Sequence, residues 1–278
     1  MKIAISTQYY NSINYGGNLQ AYALCRWFEK MGYSAQQLCI PVETEPICSL
    51  DRSFGIKEIK RKIRVLKKLL FKLVFQQKKR KLKKTKVDPL ESLREAEVLY
   101  FNQNVVPHSE KVYTLESIKE AIEIYDFFVT GSDVVWNPMG YSKALSLEFV
   151  PESVPKCSYA ASLGVVNLKS EEKNKFRDFL KNYQGVSVRE KSAVTLLQDL
   201  SPVPVEHVLD PTFLLSKDEW NKSCSPNQVN RRYVFCYFLG GNPNSRKVAS
   251  EYAKAHDLKI VTIPYADARY QEADDGFG

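Results

Sequence analysis

The chain repeats one arrangement: a short apolar run, a loop of small polar residues, and then the start of a helix. The first run, Lys2–Ser6, predicts a buried strand and leads through a loop to the sequence NYGGN at 14–18, where a helix begins. Four later apolar runs also end in small polar or charged residues, at 129–133, 158–162, 186–190 and 208–211. Strands that alternate with helices predict a doubly wound, mostly parallel α/β sheet. Because the carboxyl ends of such strands meet at one edge, these loops predict a single cleft.

The apolar periodicity assigns elements to a large N-terminal Rossmann-like domain, 1–220. Strands are predicted at 2–7, 34–40, 126–130, 146–150, 156–161, 185–189 and 205–210, and helices at 18–31, 56–84, 91–101, 115–124, 170–182 and 190–200. A polar linker follows at 216–232. Beyond it, a strand, a helix and a strand predict the beginning of a second Rossmann-like domain, 233–278. Since so small a unit buries little surface, the chain is either a fragment or carries this unit docked on the first domain.

One segment supplies the excess positive charge. Between Lys57 and Lys86 there are fifteen lysines and arginines against one acid, which gives this segment +14 and leaves −6 for the rest of a chain that totals +8. Its apolar residues recur at helical spacing and predict an amphipathic helix, within a helical insertion at about 56–86. Such a helix either packs on its own domain or lies on an anionic membrane surface. Nucleic acid is not an expected partner, because the aromatic residues Phe71 and Phe75 lie on the apolar side.

The cysteines and the apolar runs predict a cytoplasmic protein without a metal centre. The six cysteines are scattered, with no C-x-x-C pair and no metal-ligand spacing, which is typical of reduced thiols. No apolar run approaches the roughly 18–20 residues of a membrane span. The apolar stretch after Met1 is too short for a secretion signal.

The loop before the first helix contributes five candidate binding residues: Asn14, Gly16, Gly17, Asn18 and Gln20. The glycines let backbone N–H groups approach a sugar or a phosphate, and the amide side chains offer further hydrogen bonds. The simpler interpretation is a strand-to-helix turn that needs two glycines and an asparagine cap. The loop lacks the G-x-G-x-x-G spacing, so a dinucleotide site is not expected.

The segment TGSDVVWNP, at 130–138, places a hydroxyl and a carboxylate at the tip of a strand, on Ser132 and Asp133. Asp133 is the candidate general base toward an attacking hydroxyl. Trp136 could stack on a sugar ring, and Asn137 could bind its hydroxyls. In the alternative interpretation Asp133 caps a turn and Trp136 fills the core.

Arg189 and Glu190 follow a further strand. An arginine in this position can hold a phosphate or a carboxylate with its planar fork, whereas the alternative is a salt bridge to Glu190. Ser162 ends a run of small residues that indicates a close approach of the backbone to a ligand or a packed helix. Asp210 is interpreted mainly as a turn residue, and His207 as a histidine of the core.

Five segments together resemble the polysaccharide pyruvyl transferase family. They are KIAISTQYYNSINYGGNLQAYAL, FVTGSDVVWNP, KCSYAASLG, VSVREKSAVTLLQDL and VEHVLDPTFLLSKDEW. The resemblance implies a GT-B-like pair of Rossmann-type domains that transfers pyruvate to glycan hydroxyls in the synthesis of exopolysaccharide, capsule or cell-wall polymer. It implies phosphoenolpyruvate as the donor substrate, no cofactor, and a glycan or lipid-linked oligosaccharide as the acceptor. Asp133 and Arg189 are then the catalytic candidates, with Arg189 holding the charge of the donor.

The family's second domain continues further and contains a Ser-Phe-His-Gly-like motif, which has no match after Ile263. The chain is therefore expected to be truncated, inactive by itself, and to hold the acceptor half of a site. The alternatives are a GT-B glycosyltransferase that uses a sugar nucleotide, and a non-catalytic fragment at a membrane surface. The expected location is the cytoplasm, with peripheral attachment to the inner face of the membrane.

Overall fold

A computed structural model describes residues 1–41, 43–47, 89–226, 229–240 and 242–263. The predicted basic helix at 56–84 lies outside these residues. The chain divides into two compact units, Met1–Leu215 and Ser216–Gly278. In the ranges that the structure covers, no helix combines the length and the apolar character needed to cross a bilayer.

The first unit is a Rossmann-like α/β fold built on a central sheet. In chain order its strands are β1 (Lys2–Ser6), β2 (Ser34–Cys39), β3 (His108–Val112), β4 (Phe127–Thr130) and β5 (Lys156–Ser158). They lie in the order β3-β2-β1-β4-β5, and every neighbouring pair is parallel. Residues Ile3–Ser6 of the central strand are all buried, as expected for a parallel strand covered on both faces.

Two further parallel strands, β6 (Val186–Val188) and β7 (Val205–His207), continue this arrangement beyond β5. Isolated parallel bridges link Cys157 to Gly185 and Ala161 to Val188, so β6 follows the register of β5. The predicted strands at 185–189 and 205–210 are therefore present but shorter.

Helices cover both faces of the sheet. They are α1 (Tyr15–Lys30), α2 (Pro89–Asn104), α3 (Ser170–Leu180) and α4 (Lys191–Leu197), with 3-10 turns at Ile118–Glu123, Pro138–Gly140 and Pro211–Phe213. On one face Leu24 and Cys25 of α1 pack with Ile3 and Ile5 of β1. On the other face a larger cluster contains Phe128 and the aromatic residues of α3. In the described residues, the sheet is thus covered on both faces.

Two predictions about strands were wrong. Residues 146–150 form no strand, because turn hydrogen bonds such as Val150 N to Leu147 O replace a ladder, and Leu147 has a positive φ of 51°. Lys156 holds this region in place: its buried Nζ donates to the carbonyls of Leu147 (2.9 Å) and Val150 (3.0 Å), and burial lowers the pKa of this amine. Strand β3 was not predicted, because its sequence HSEKV has no apolar alternation and it forms by pairing with β2.

The described part of the second unit contains a parallel βαβ motif. A short helix, α5 (Lys217–Asn221), comes first and is followed by β8 (Tyr233–Cys236), α6 (Pro243–Ala255) and β9 (Lys259–Thr262). The two strands pair in parallel from Tyr233 with Lys259 to Cys236 with Thr262. His256, at the end of α6, packs on the ring of Tyr252.

Candidate functional site

The loop after β4 turns sharply to present Asp133 at the carboxyl edge of the sheet. Gly131 has a φ of 106°, and a Cβ at this position would come 2.3 Å from the Tyr159 carbonyl oxygen, so the turn requires glycine. Asp133 itself has a positive φ of 73°. Its backbone pairs in parallel with Ala161, and Ala161 pairs in turn with Val188 of β6. This register places the residue after Val188, Arg189, two strands away from Asp133.

Asp133 lines a cleft, and its carboxylate oxygen Oδ1 contacts other residues of the chain. Its Oδ1 accepts a hydrogen bond from the Val134 N–H (2.8 Å) and lies 3.8 Å from Nη2 of Arg189. Its Oδ2 faces Gly17, where an added Cβ would come within 3.7 Å of it. The cleft has a volume of about 380 Å³ and is lined by Gln8, Tyr9, Tyr10, Ser12, Asn14, Thr44 and Asp133.

Arg189 is surrounded by three carboxylates. Its Nη1 donates to Asp210 Oδ2 at 3.0 Å, its Nε lies 3.5 Å from Glu190 Oε1, and its Nη2 is the atom near Asp133. One guanidinium therefore faces three acids, and the cluster as a whole is negative. The salt bridge to Glu190, which the sequence offered as the alternative to holding a substrate anion, is present.

The NYGGN loop forms the wall of the cleft beside Asp133. The Asn14 side chain accepts a hydrogen bond from the Gly17 N–H (3.0 Å), which caps α1, and the same residue lines the cleft. Gly17 packs closely on the loop before it, because a Cβ at this position would come 3.2 Å from the Gln8 carbonyl oxygen, a tight contact. Gly16 is exposed at the start of the helix. The structure thus brings Asn14, Gly17 and Asp133 to one place.

A family model for polysaccharide pyruvyl transferases matches residues 14–275 of the chain. The chain belongs to this family. No curated protein and no solved structure gives a significant match. The match includes every residue that the sequence singled out as a candidate site residue.

In this pyruvyl transferase family member, three of the predicted binding residues are buried and make hydrogen bonds within the loops that form the site. Gln20 is 1% exposed, accepts from the Ser132 N–H (2.9 Å) and donates to Thr7 Oγ1 (3.0 Å) and to the Gly17 carbonyl. Ser132 is fully buried, and its carbonyl accepts from Thr7 Oγ1 at 2.7 Å. Asn18 donates to the carbonyls of Ser12 and Asn14 and accepts from Asn102. The expectation that these side chains contact substrate is therefore corrected.

Trp136 does not stack on a ligand, so this expectation was wrong. The indole is 1% exposed and packs against Phe176, Phe179 and Tyr183, with ring centroids 5.6–6.2 Å apart. Asn137 is half-buried, and its Oδ1 caps the following 3-10 turn through the Met139 N–H. The alternative in which Trp136 fills the core and this segment forms turns agrees with the structure.

Ser162 and His207 also differ from the simplest expectation. Ser162 is 1% exposed, and its backbone N–H donates to the Asp133 carbonyl (2.9 Å), so it holds the loop rather than a ligand. His207 is exposed, not part of the core, and its Nε2 lies 3.2 Å from the Arg189 carbonyl oxygen. The reason is that it lies in β7, whose pairing in the described residues is with β6 on one side.

The sequence did not identify several residues of the cleft. Tyr10, Ser12 and Thr44 line it, although no pattern sets them apart from ordinary loop residues. Asp210 had a detectable signal, since it follows a strand in the same way as Asp133 and Arg189 do. In the described ranges, no group of three or more metal-ligating side chains is arranged to hold a metal ion.

The network under the site generates a stability prediction for Gln20. In Gln20→Leu the Ser132 N–H loses its buried acceptor, and one such unsatisfied group costs about 1–3 kcal/mol. We expect the free energy of unfolding, measured by urea denaturation followed by circular dichroism, to fall by at least this amount. The exposed Gln184→Leu is the matched control and should change stability by less than about 0.5 kcal/mol. Equal stability of the two variants would show that the hydrogen bonds of Gln20 do not stabilise the fold.

Proposed function

We propose that this protein transfers pyruvate from phosphoenolpyruvate to hydroxyl groups of a glycan in the synthesis of exopolysaccharide, capsule or cell-wall polymer. Membership of the family supports pyruvyl transfer. The observation that carries the assignment of the cleft is the position of Asp133, a carboxylate in a lining that otherwise consists of hydroxyl and amide side chains. A GT-B-like pairing of two Rossmann-type domains is part of the same proposal.

The cleft is suited to the acceptor rather than to the donor. Among the residues that the structure describes, the lining combines one carboxylate with uncharged polar and tyrosine side chains and contains no lysine or arginine. Phosphoenolpyruvate carries a phosphate and a carboxylate, so it is repelled by Asp133 and by the negative cluster around Arg189. Sugar hydroxyls, in contrast, donate hydrogen bonds to carboxylate and amide oxygens and accept them from hydroxyl and amide groups. We assign the described cleft to the acceptor glycan.

The chemistry assigns Asp133 a defined step. Protonation of the methylene carbon of phosphoenolpyruvate gives an oxocarbenium-like centre, which a sugar hydroxyl attacks. Phosphate then leaves, and a second hydroxyl closes the cyclic ketal. The two attacking hydroxyls release two protons, of which one balances the proton that the methylene carbon gained and the other leaves with the phosphate. Asp133 Oδ2 is assigned to orient the attacking hydroxyl and to accept its proton in the first addition. The group that protonates the donor carbon is not assigned.

The structure changes the role that we propose for Arg189. The sequence suggested an anchor for the donor, but a guanidinium that already faces three carboxylates has little charge left to attract a dianion. Arg189 therefore acts on Asp133 through its charge, 3.8 Å from Oδ1, so that Oδ2 remains available to the acceptor. The alternative is that Arg189 binds the donor, and the response of Arg189→Lys to phosphoenolpyruvate distinguishes the two roles.

The function of Asp133 is tested with Asp133→Asn, which keeps the shape of the side chain but cannot accept the proton. We expect transfer of labelled pyruvate to lipid-linked glycans from the producing cells to fall at least about 100-fold, since general base catalysis typically contributes this much. The assay uses the protein as its gene encodes it. Asp178→Asn, an exposed change on α3, should transfer normally. Near-normal transfer by Asp133→Asn would refute the assignment.

The donor class is tested by thermal denaturation with separately added ligands. Phosphoenolpyruvate should raise the melting temperature, because a ligand that binds only the folded state stabilises it. UDP-glucose should have no effect. If only UDP-glucose stabilises the protein, it is a glycosyltransferase instead. If neither ligand does so, the reading as a non-catalytic protein is favoured. An unchanged response to phosphoenolpyruvate in Asp133→Asn and Arg189→Lys would separate both residues from donor binding.

We further propose that the basic segment, residues 57–86, brings the enzyme to an anionic membrane surface where lipid-linked acceptors are found. The support is its net charge of +14 and its helical apolar spacing. Each surface charge contributes about 1 kcal/mol of attraction to such a membrane. The protein should therefore sediment with phosphatidylserine-containing vesicles at physiological salt, and should no longer do so when the lysines of 78–86 are replaced by glutamine. Failure of the unmodified protein to sediment would leave the basic segment without a membrane role.

A further inference from the structure

Asp210 engages its two carboxylate oxygens in different tasks. Its Oδ1 accepts from the backbone N–H and the hydroxyl of Thr212, at 3.0 and 2.9 Å, which orients the carboxylate within its own turn. Its Oδ2 accepts from Arg189 Nη1 at 3.0 Å and lies 3.3 Å from the Ser132 hydroxyl. Asp210 thus joins the ends of three strands, β4, β6 and β7, beneath the acceptor cleft.

We infer that Asp210 is a positioning residue for pyruvyl transfer, which acts by anchoring Arg189 and thereby setting the orientation of the Asp133 carboxylate. The inference rests on the proposed function, in which Asp133 contacts the acceptor hydroxyl. Asp210 itself is not assigned a contact with substrate.

The geometry of the arginine supports this role. A guanidinium is planar, so fixing Nη1 also fixes the directions in which Nη2 and Nε point. Nη1 makes a hydrogen bond with Asp210 at 3.0 Å, whereas Nη2 remains 3.8 Å from Asp133 Oδ1, too far for a hydrogen bond. Arg189 is therefore hydrogen-bonded to Asp210 and not to Asp133.

The consequence concerns the availability of Asp133. An arginine and a carboxylate that are both free prefer a two-pronged pair, which engages both carboxylate oxygens. If the Asp210 anchor is lost, Arg189 keeps the contact between its Nε and Glu190, but Nη1 is released, and the guanidinium can then form this pair with Asp133 and occupy Oδ2. The anchor thus keeps one oxygen of Asp133 available for the acceptor.

Asp210→Asn tests the inference while sparing the turn. The asparagine Oδ1 can still accept from Thr212, but its NH₂ group cannot accept from Arg189. We expect kcat for pyruvyl transfer to fall about 10- to 100-fold, as for a small displacement of a catalytic group. The KM for phosphoenolpyruvate should stay within about twofold and the melting temperature within a few degrees, because neither the donor site nor the turn is altered.

A double-variant cycle provides the decisive readout. If Asp210 acts through Asp133, the variant that carries both Asp210→Asn and Asp133→Asn should be no slower than Asp133→Asn alone. A residue with only a general structural role would slow both backgrounds by the same factor, and that result would overturn the inference. A normal kcat in Asp210→Asn would also overturn it, and would leave the proposed function intact if Asp133→Asn is inactive.

Two further outcomes separate failure of the inference from failure of the proposed function. Full activity of Asp133→Asn would refute the proposed role of that carboxylate. It would also refute the inference that Asp210 acts on Asp133 through Arg189. If Asp210→Asn does not fold, Arg189→Lys removes the same link from the other side, because lysine cannot bind Asp210 and Asp133 with one rigid fork. In that case the same cycle with Asp133→Asn decides, and equal slowing of both backgrounds overturns the inference.

Discussion

The site depends on the parallel ladder that runs from the Asp133 loop through Ala161 to β6. Ala161 pairs with Asp133 on one side and with Val188 on the other, so two strand spacings of about 4.8 Å separate the chains that carry Asp133 and Arg189. Only a long side chain spans this distance. Ala161, between them, is fully buried. The distance between the Asp133 carboxylate and the Arg189 guanidinium is thus set by sheet register.

The polar groups of the site form two layers with different tasks. In the buried layer, Gln20 and Thr7 satisfy both backbone groups of Ser132, because an unpaired N–H or C=O there would be costly. In the partly exposed layer, Arg189 faces three carboxylates. Ion pairs of this exposure contribute little to stability, so their value lies in the orientation that they impose on Asp133. The buried layer thus fixes the backbone of the loop, and the partly exposed layer orients the Asp133 carboxylate.

The misassigned residues show where reasoning from the sequence reached its limit. Asn18, Gln20 and Ser132 are polar residues beside the cleft, but each also has a partner far away in the chain; Gln20 and Ser132 are 112 residues apart. Trp136 is equally suited by its chemistry to a sugar or to a core, and only its packing against α3 shows which applies. Strand β3 has no apolar alternation in its sequence, and it forms by pairing in parallel with β2.

The sequence by itself determined the succession of strands and helices, the polar loops at the strand ends, and the family. This was possible because hydrophobic period, glycine turns and short motifs act over a few residues. The tertiary structure decided which loop residues line the cleft, and Thr44 is among them. It also places His207 at the surface and Asp210 in contact with Arg189. These features depend on hydrogen bonds and packing between distant segments, and a local pattern does not encode which distant partner a polar side chain will meet.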